Sequence, residues 1–261
     1  MPTVALDEIT GHLDVLLRTL EIPDYGGALN GLQVQNAGTV RKVAAAVDLS
    51  RRTIEGAARE DADLLLVHHG AFWGGVQPIR GALYDRLRLL FTHGIAVYAS
   101  HLPLDLHPEL GNNVRLARTL GLQPSGGFAR FQTVTIGVRG ETDLPTARLV
   151  ERATAFARTH GGIVRMSPML DGQGRRTRRW AICTGAGASS DTIREAVAEG
   201  IDTLIVGEGP HHTAVEAPEA GLAIIYAGHY ATETLGVQAL AEHVASTFHL
   251  PWAFIEAPTG L

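Results

Sequence analysis

The stretch Asp63-Leu64-Leu65-Leu66-Val67-His68-His69-Gly70 decides the fold class. Its first five residues read as a short strand whose side chains from Leu64 to Val67 are wholly apolar. Such a run suits a strand buried on both faces, as in a parallel sheet covered by helices. The strand ends in paired histidines and a glycine. Working outward, strand 43–47 and a helix opened by Ser50 and running through Arg59 precede it. Helix 84–93, stopped by Gly94, and strand 95–100, ending at His101, follow it. The same order returns later, as strand 180–184, helix 190–199, strand 203–206, helix 214–220 and strand 222–227. We therefore expect an α/β protein of two similar units, with mixed sheets flanked by helices and a pseudo-twofold between them. The boundary is expected near residue 124, giving 1–124 and 125–261, with a site between the two.

Other segments fill the frame. Residues 7–20 read as an amphipathic helix, with Ile9, Leu13, Leu16, Leu17 and Leu20 on one stripe. Residues 113–120 and 144–159 read as helices, and 133–139 and 163–167 as strands. Residues 172–179, polar and basic, read as an exposed turn. A long helix spans 232–247, and a last strand 252–256.

Composition bounds the function. The chain has 261 residues, 45% hydrophobic and 19% charged, with a formal net charge of −5. The apolar share supports a buried core. A mildly acidic chain has no global attraction for nucleic acid or anionic lipid. The single cysteine, Cys183, excludes an intrachain disulfide framework and a multi-cysteine metal site. It is expected to lie buried in its strand as a small apolar residue. The first twenty residues lack the pattern of a signal peptide, and no apolar run is long enough to span a membrane. A cytoplasmic location fits these features.

The chemistry concentrates at strand ends. His68 and His69 stand at one, His101 and Asp105 beyond another, and Glu208, His229 and Glu233 answer them in the second half. Carboxyl ends of strands in open α/β sheets are where ligands sit. Singly, each residue has a plain explanation as a turn former, a helix-start pair or a capped imidazole. Together, His68, His69, Asp105, His229 and Glu233 form a set of three imidazoles and two carboxylates. That set suits divalent zinc, iron or manganese. Five ligands exceed one tetrahedral ion with an open position and match two ions sharing a carboxylate. Adjacent His68 and His69 should point to opposite faces of their strand. Both can serve only if the strand end twists or the site lies between sheets.

At these residues the chain resembles the Nif-three-like family of dinuclear metal-centre hexameric proteins, many of which carry the name GTP cyclohydrolase 1 type 2. The matching stretches are NGLQV (30–34), LLLVHHGAFW (64–73), SHLPLDLHPELGNN (100–113) and GEGPHHTAVEAPEAGLAIIYAGHYATETLG (207–236). The resemblance covers nearly the whole chain and is weakest from about 125 to 180. It implies that His68 and Asp105 hold one ion, His69 and His229 a second, and that Glu233 bridges both. It places His101 beside the site, in a positioning or substrate-handling role. Glu208 and the His211-His212 pair lie on a loop near the same cleft, with Glu208 and His101 as acid–base candidates. It also implies a toroidal homohexamer. Two departures stand out. Gly70 replaces a proline common after the histidine pair, and Leu102-Pro103-Leu104 replaces a segment that commonly holds a threonine–asparagine pair. The His-to-Asp spacing survives, but any hydrogen bonding by that asparagine is lost.

Three weaker motifs remain. Gly185-Ala186-Gly187, between strand and helix, hints at a phosphate cradle but lacks the full spacing of one. Helix starts at Ser50 and Ser189 could offer amides to a phosphate. Arg175, Arg176, Arg178 and Arg179 form a basic cluster that reads as a solvated hairpin. The functional expectation is a metal-dependent hydrolase acting through metal-bound water or hydroxide. By resemblance its small-molecule substrate is a nucleotide of the GTP type. The alternative is a non-catalytic metal-binding or metal-delivering hexameric scaffold.

Overall fold

The computed structural model describes residues 3–75, 77–168 and 174–261. In chain order the first elements are β1 (Val4–Ala5), α1 (Leu6–Leu17), β2 (Gly31–Val34), β3 (Thr39–Val40), β4 (Val43–Asp48), α2 (Arg51–Arg59), β5 (Leu64–His69), α3 (Ala82–His93), β6 (Ala96–Ala99) and α4 (Leu102–Asp105). Then come α5 (Asn112–Thr119), β7 (Gly126–Phe131), β8 (Val134–Pro145), α6 (Thr146–Thr159), β9 (Arg165–Met166) and β10 (Arg176–Cys183). The chain closes with α7 (Ser190–Ala198), β11 (Thr203–Val206), α8 (Thr213–Glu219), β12 (Ala223–Tyr226), α9 (His229–Phe248) and β13 (Trp252–Phe254). Its contacts form two compact units. One comprises Met1–His107 with Gly236–Ala257, the other Pro108–Leu235 with Pro258–Leu261.

The first unit holds a five-stranded sheet in the order β13-β4-β5-β6-β2. Strands β4, β5 and β6 run parallel, β13 joins parallel to β4, and β2 lies antiparallel on β6. As its wholly apolar run requires, β5 is central, and Leu64, Leu65 and Leu66 are fully buried. Each such leucine contributes about 1.5–3 kcal/mol relative to an exposed one. One core of this unit gathers Ile54 and Ala57 of α2 with Leu83, Leu87 and Leu90 of α3 against Leu65, Val67 and Val97.

The second unit holds a six-stranded sheet in the order β7-β8-β10-β11-β12-β9. Its centre, β10-β11-β12, is again parallel. The neighbours β8 and β9 are antiparallel to it. Each parallel core therefore carries the strand–helix–strand–helix–strand order expected from the repeat. Even the helix starts match. Ser50 and Ser189 cap α2 and α7, each paired reciprocally with the threonine three residues on, Thr53 and Thr192. Those reciprocal bonds use the capping side chains on the helix's own amides.

Some boundaries differ from expectation. Helix α1 ends at Leu17 because Arg18 adopts a left-handed conformation (φ 54°). Leu20 thus leaves the apolar stripe and is exposed, while Thr19 turns inward to the Tyr98 hydroxyl at 3.0 Å. The basic stretch expected as an exposed turn is largely strand from Arg176 onward, because β10 extends along β8. Its outward-facing arginines pair locally: Arg176 and Arg178 approach Asp143, and Arg175 donates to the carbonyls of Asp202 and Gly221. Residues 172 and 173 of that expected turn lie outside the described residues. Cys183 is buried in β10, as expected. No helix among the described residues is long and apolar enough to cross a membrane.

Candidate metal centre

In the first unit, the carboxyl ends of β4, β5 and β6 bring polar side chains to one sheet edge. His68 and His69 close β5, Asp48 closes β4 beside His69, and His101 follows β6. The expected opposition of His68 and His69 is relaxed at the strand end, where their ring centroids are 4.8 Å apart. His101 joins them, with its ring 4.9 Å from His68 and 5.7 Å from His69. One ligand nitrogen from each of the three lies within 4.8 Å of the others. Asp105, at the end of the short α4, brings Oδ2 to 3.6 Å from Nε2 of His68.

Each ring is held through Nδ1. That of His68 is 2.9 Å from the Ser100 carbonyl, that of His69 2.8 Å from Asp48, and that of His101 2.8 Å from Asp24. An acceptor at Nδ1 makes that nitrogen an N–H donor and fixes the ring, so Nε2 is the nitrogen that would face an ion. Asp24 does more than orient one ring. It accepts hydrogen bonds from the backbone N–H groups of Tyr25 and Leu102 and from the side-chain amide of Asn30. Asn30 in turn accepts from the His101 backbone N–H at 2.8 Å. Burial works against the Asp24 carboxylate, but the His101 hydrogen bond and charge, with those of Asn30 and the Tyr25 amide, hold its pKa below the ordinary value.

The second unit builds a different group at the same kind of edge. His229 opens α9 just beyond β12, Glu233 lies one turn along, and Glu208 follows β11. His229 Nδ1 is 2.7 Å from Glu208, and its Nε2 is 3.1 Å from Glu233, which is only 3% exposed. Burial disfavours the charged imidazole, yet the hydrogen bonds and charges of Glu233 and then Glu208 prevail and raise His229 to about 9. A protonated imidazole between two carboxylates is how this donor set neutralises itself without an ion. A cation would replace that proton. The helix begins at His229 rather than at 232, which places His229 and Glu233 at i, i+4 on one face.

Gly185 has its explanation here. It sits at φ +63°, and a Cβ there would collide with the Glu233 carboxylate. The Gly185-Ala186-Gly187 turn therefore makes room for a buried acid, and its Gly185 N–H donates to Thr232 Oγ1. His211 and His212 are exposed ahead of α8. Sequence reasoning passed over Asp24, Asn30 and Asp48 as supports for the cluster. The only local signal was polar residues in turns flanking the apolar strands.

Fold and side chains together define a class: an α/β protein whose strand ends carry histidine–carboxylate sets able to hold divalent metal. The family model for Duf34/NIF3 (NGG1p interacting factor 3) matches residues 4–259, and the chain belongs to that family. A Deinococcus radiodurans protein named GTP cyclohydrolase 1 type 2 homolog is 40% identical, the alignment covering 99% of this chain and 95% of that protein. A Halobacterium salinarum protein of the same name is 41% identical, with 98% and 99% covered. Among solved structures, the protein ybgI, described as of unknown function, superposes with a TM-score of 0.88 at 35% identity, covering 99% of this chain and all of that one.

Proposed function

We propose that the chain is a hydrolase that depends on a dinuclear divalent-metal centre and acts on a nucleotide-type small molecule. His68 and Asp105 would hold one ion and His69 and His229 the other, with Glu233 shared between them. The observation that carries this reading is the tethering of His68 and His69 through Nδ1, which presents Nε2 of each as the nitrogen a cation would take, together with Asp105 at 3.6 Å from Nε2 of His68 and Glu233 at 3.1 Å from Nε2 of His229. The names of the relatives support the nucleotide-type substrate. Bound divalent ions of the zinc, iron or manganese type supply Lewis acidity and lower the pKa of water toward neutrality. The chain's own groups do the rest. Asp48, Ser100, Asp24 and Glu208 are positioning residues that fix each ring. His101, oriented by Asp24, holds or passes a proton at Nε2. The toroidal homohexamer implied by the family resemblance and the cytoplasmic location that fits the composition belong to the same proposal, and sedimentation velocity tests the assembly.

Elemental analysis of tag-free, chelator-free protein is the test. Two equivalents of transition metal per chain are expected, falling to one or fewer in Glu233→Ala. Retention of two ions in that variant overturns the bridge. His101→Ala is expected to keep both ions and lose turnover of GTP. Two ions without turnover of any nucleotide in the wild type would favour the scaffold reading over the hydrolase.

A further inference from the structure

The first unit carries a cavity of about 390 Å³ beside its histidines, lined by apolar groups apart from Gln77. Its walls come from two loops. Gly26, Gly27 and Leu29 form one side, and Phe72, Gly75 and Ile79 the other. Leu29 and its neighbour Ala28 also line a small cleft bounded by His68, His101 and Trp73. Cavity and histidine cluster thus share a wall.

The same residues build both. Asp24, which orients His101, also holds the start of the first loop through the Tyr25 amide. Gln33 joins the two loops, donating to the Leu29 carbonyl at 2.6 Å and accepting from the Ala71 N–H at 2.7 Å. A side chain at Gly70 would displace that amide, and a side chain at Gly27 would strike the Trp73 carbonyl. The loops therefore meet backbone to backbone, which fixes the cavity relative to the rings. Trp73 stands edge-on to His101 and His69, with centroids 4.7 and 5.5 Å away, and Tyr25 lies 5.9 Å from His101. Both aromatics remain about half exposed at this edge.

We propose that this cavity seats a flat, largely apolar ring, aromatic or heteroaromatic, whose polar substituent reaches the His68–His69–His101 cluster. Three features select that class. Its volume falls in the range of small-ligand sites. Gly26, Gly27 and Gly75 line it without side chains, which leaves room for a flat ring. Leu29 and Ile79, 53% and 61% exposed, give an apolar rim that a bound ring would cover. Ring seating is independent of the metal reading, whereas the orientation of the polar end rests on it.

The test uses two probes on the whole protein. Anilinonaphthalene sulfonate is titrated into metal-stripped protein by fluorescence, and naphthohydroxamic acid into stripped and zinc-loaded protein by calorimetry. Binding of the first probe is expected to weaken by about tenfold or more in Leu29→Asp and in Ile79→Asp. Both sites are exposed, so the fold should survive, and circular dichroism checks it. The hydroxamate is expected to bind zinc-loaded protein about tenfold or more tightly than stripped protein. Absent probe binding, or binding unchanged in both variants, overturns the proposal. So does dissociation of an assembly in the variants, which would make the rim an interface between copies. Zinc content of the loaded sample separates the two readings. A loaded sample with no gain in hydroxamate affinity overturns the ring orientation proposed here. A sample that takes up no zinc overturns the metal centre, and the ring then stands or falls on the first probe.

Discussion

The two parallel cores share a frame and differ in what they carry at its edge. The first unit ends in three imidazoles and one carboxylate, Asp105, with Asp24, Asp48 and the Ser100 carbonyl behind the rings. The second ends in one imidazole set between two carboxylates, Glu208 and Glu233. The frames even use the same helix cap, serine with threonine three residues later. The difference lies in charge. Three rings meet one carboxylate in the first set. In the Glu208–His229–Glu233 set a proton, held on His229 by the two carboxylates, stands where a cation would bind. A repeated fold thus hosts two donor chemistries, and function has to be argued from the side chains rather than from the frame.

Several experiments can break or sharpen that contrast. The largest effect should come from the carboxylates behind the rings. Asp48→Asn, behind His69 in the first unit, and Glu208→Gln, behind His229 in the second, are each expected to lower zinc affinity about 10–100-fold while leaving the fold intact. Competition with a coloured chelator measures this. If only one of the two weakens binding, ring positioning matters in one unit alone. A smaller effect tests the shared frame. Ser50→Ala and Ser189→Ala should each cost about 1 kcal/mol in urea denaturation. Equal losses would show that the two caps are energetically alike, and an unaffected variant would break the equivalence.

The smallest effect belongs to the first unit, where His12 and His243 meet Nε2 to Nε2 at 2.8 Å with stacked rings. Burial, then the neighbouring His12, lowers the pKa of His243. The unfolded chain takes up a proton at the ordinary histidine pKa, near 6.5, before the folded chain does. Between that value and the lower folded one, the unfolded state binds more protons, so stability falls as the pH falls. His243→Gln should flatten this slope by at most one proton, seen in urea midpoints at about pH 5 to 7. An unchanged slope would show that the pair does not titrate as a unit with folding.

Much of the site is legible in the sequence. His68, His69, His101, Asp105, His229 and Glu233 are conspicuous because apolar strands end where they begin. Strand ends in a parallel sheet share an edge. Glu208 follows a strand for the same reason, yet its partner could not be read. Its bond to His229 spans 21 residues. Asp24 is harder still, since the loop that carries it returns to a histidine 77 positions away. Nothing local distinguishes such an aspartate from a turn former. The glycines behave alike. Gly185 reads as a tight turn, and only the packed Glu233 explains why no side chain is tolerated there. The start of β10 was hidden because Arg176, Arg178 and Arg179 look like a solvated hairpin. Pairing with β8 makes them strand.

The sequence by itself determined the class of fold, the repeated order of elements and the residue types able to bind metal. Those follow from periodicity, capping and the position of polar residues after apolar runs, all of which act over a few residues. The tertiary structure decided the rest. It chose which nitrogen of each ring is tied, brought His101 against His68 and His69, divided α9 between the two units, and set β13 beside β4. These are contacts between segments far apart in the chain. Side-chain hydrogen bonds and strand pairings of that kind are selected by the packing of the whole sheet, and no short window of sequence contains both partners.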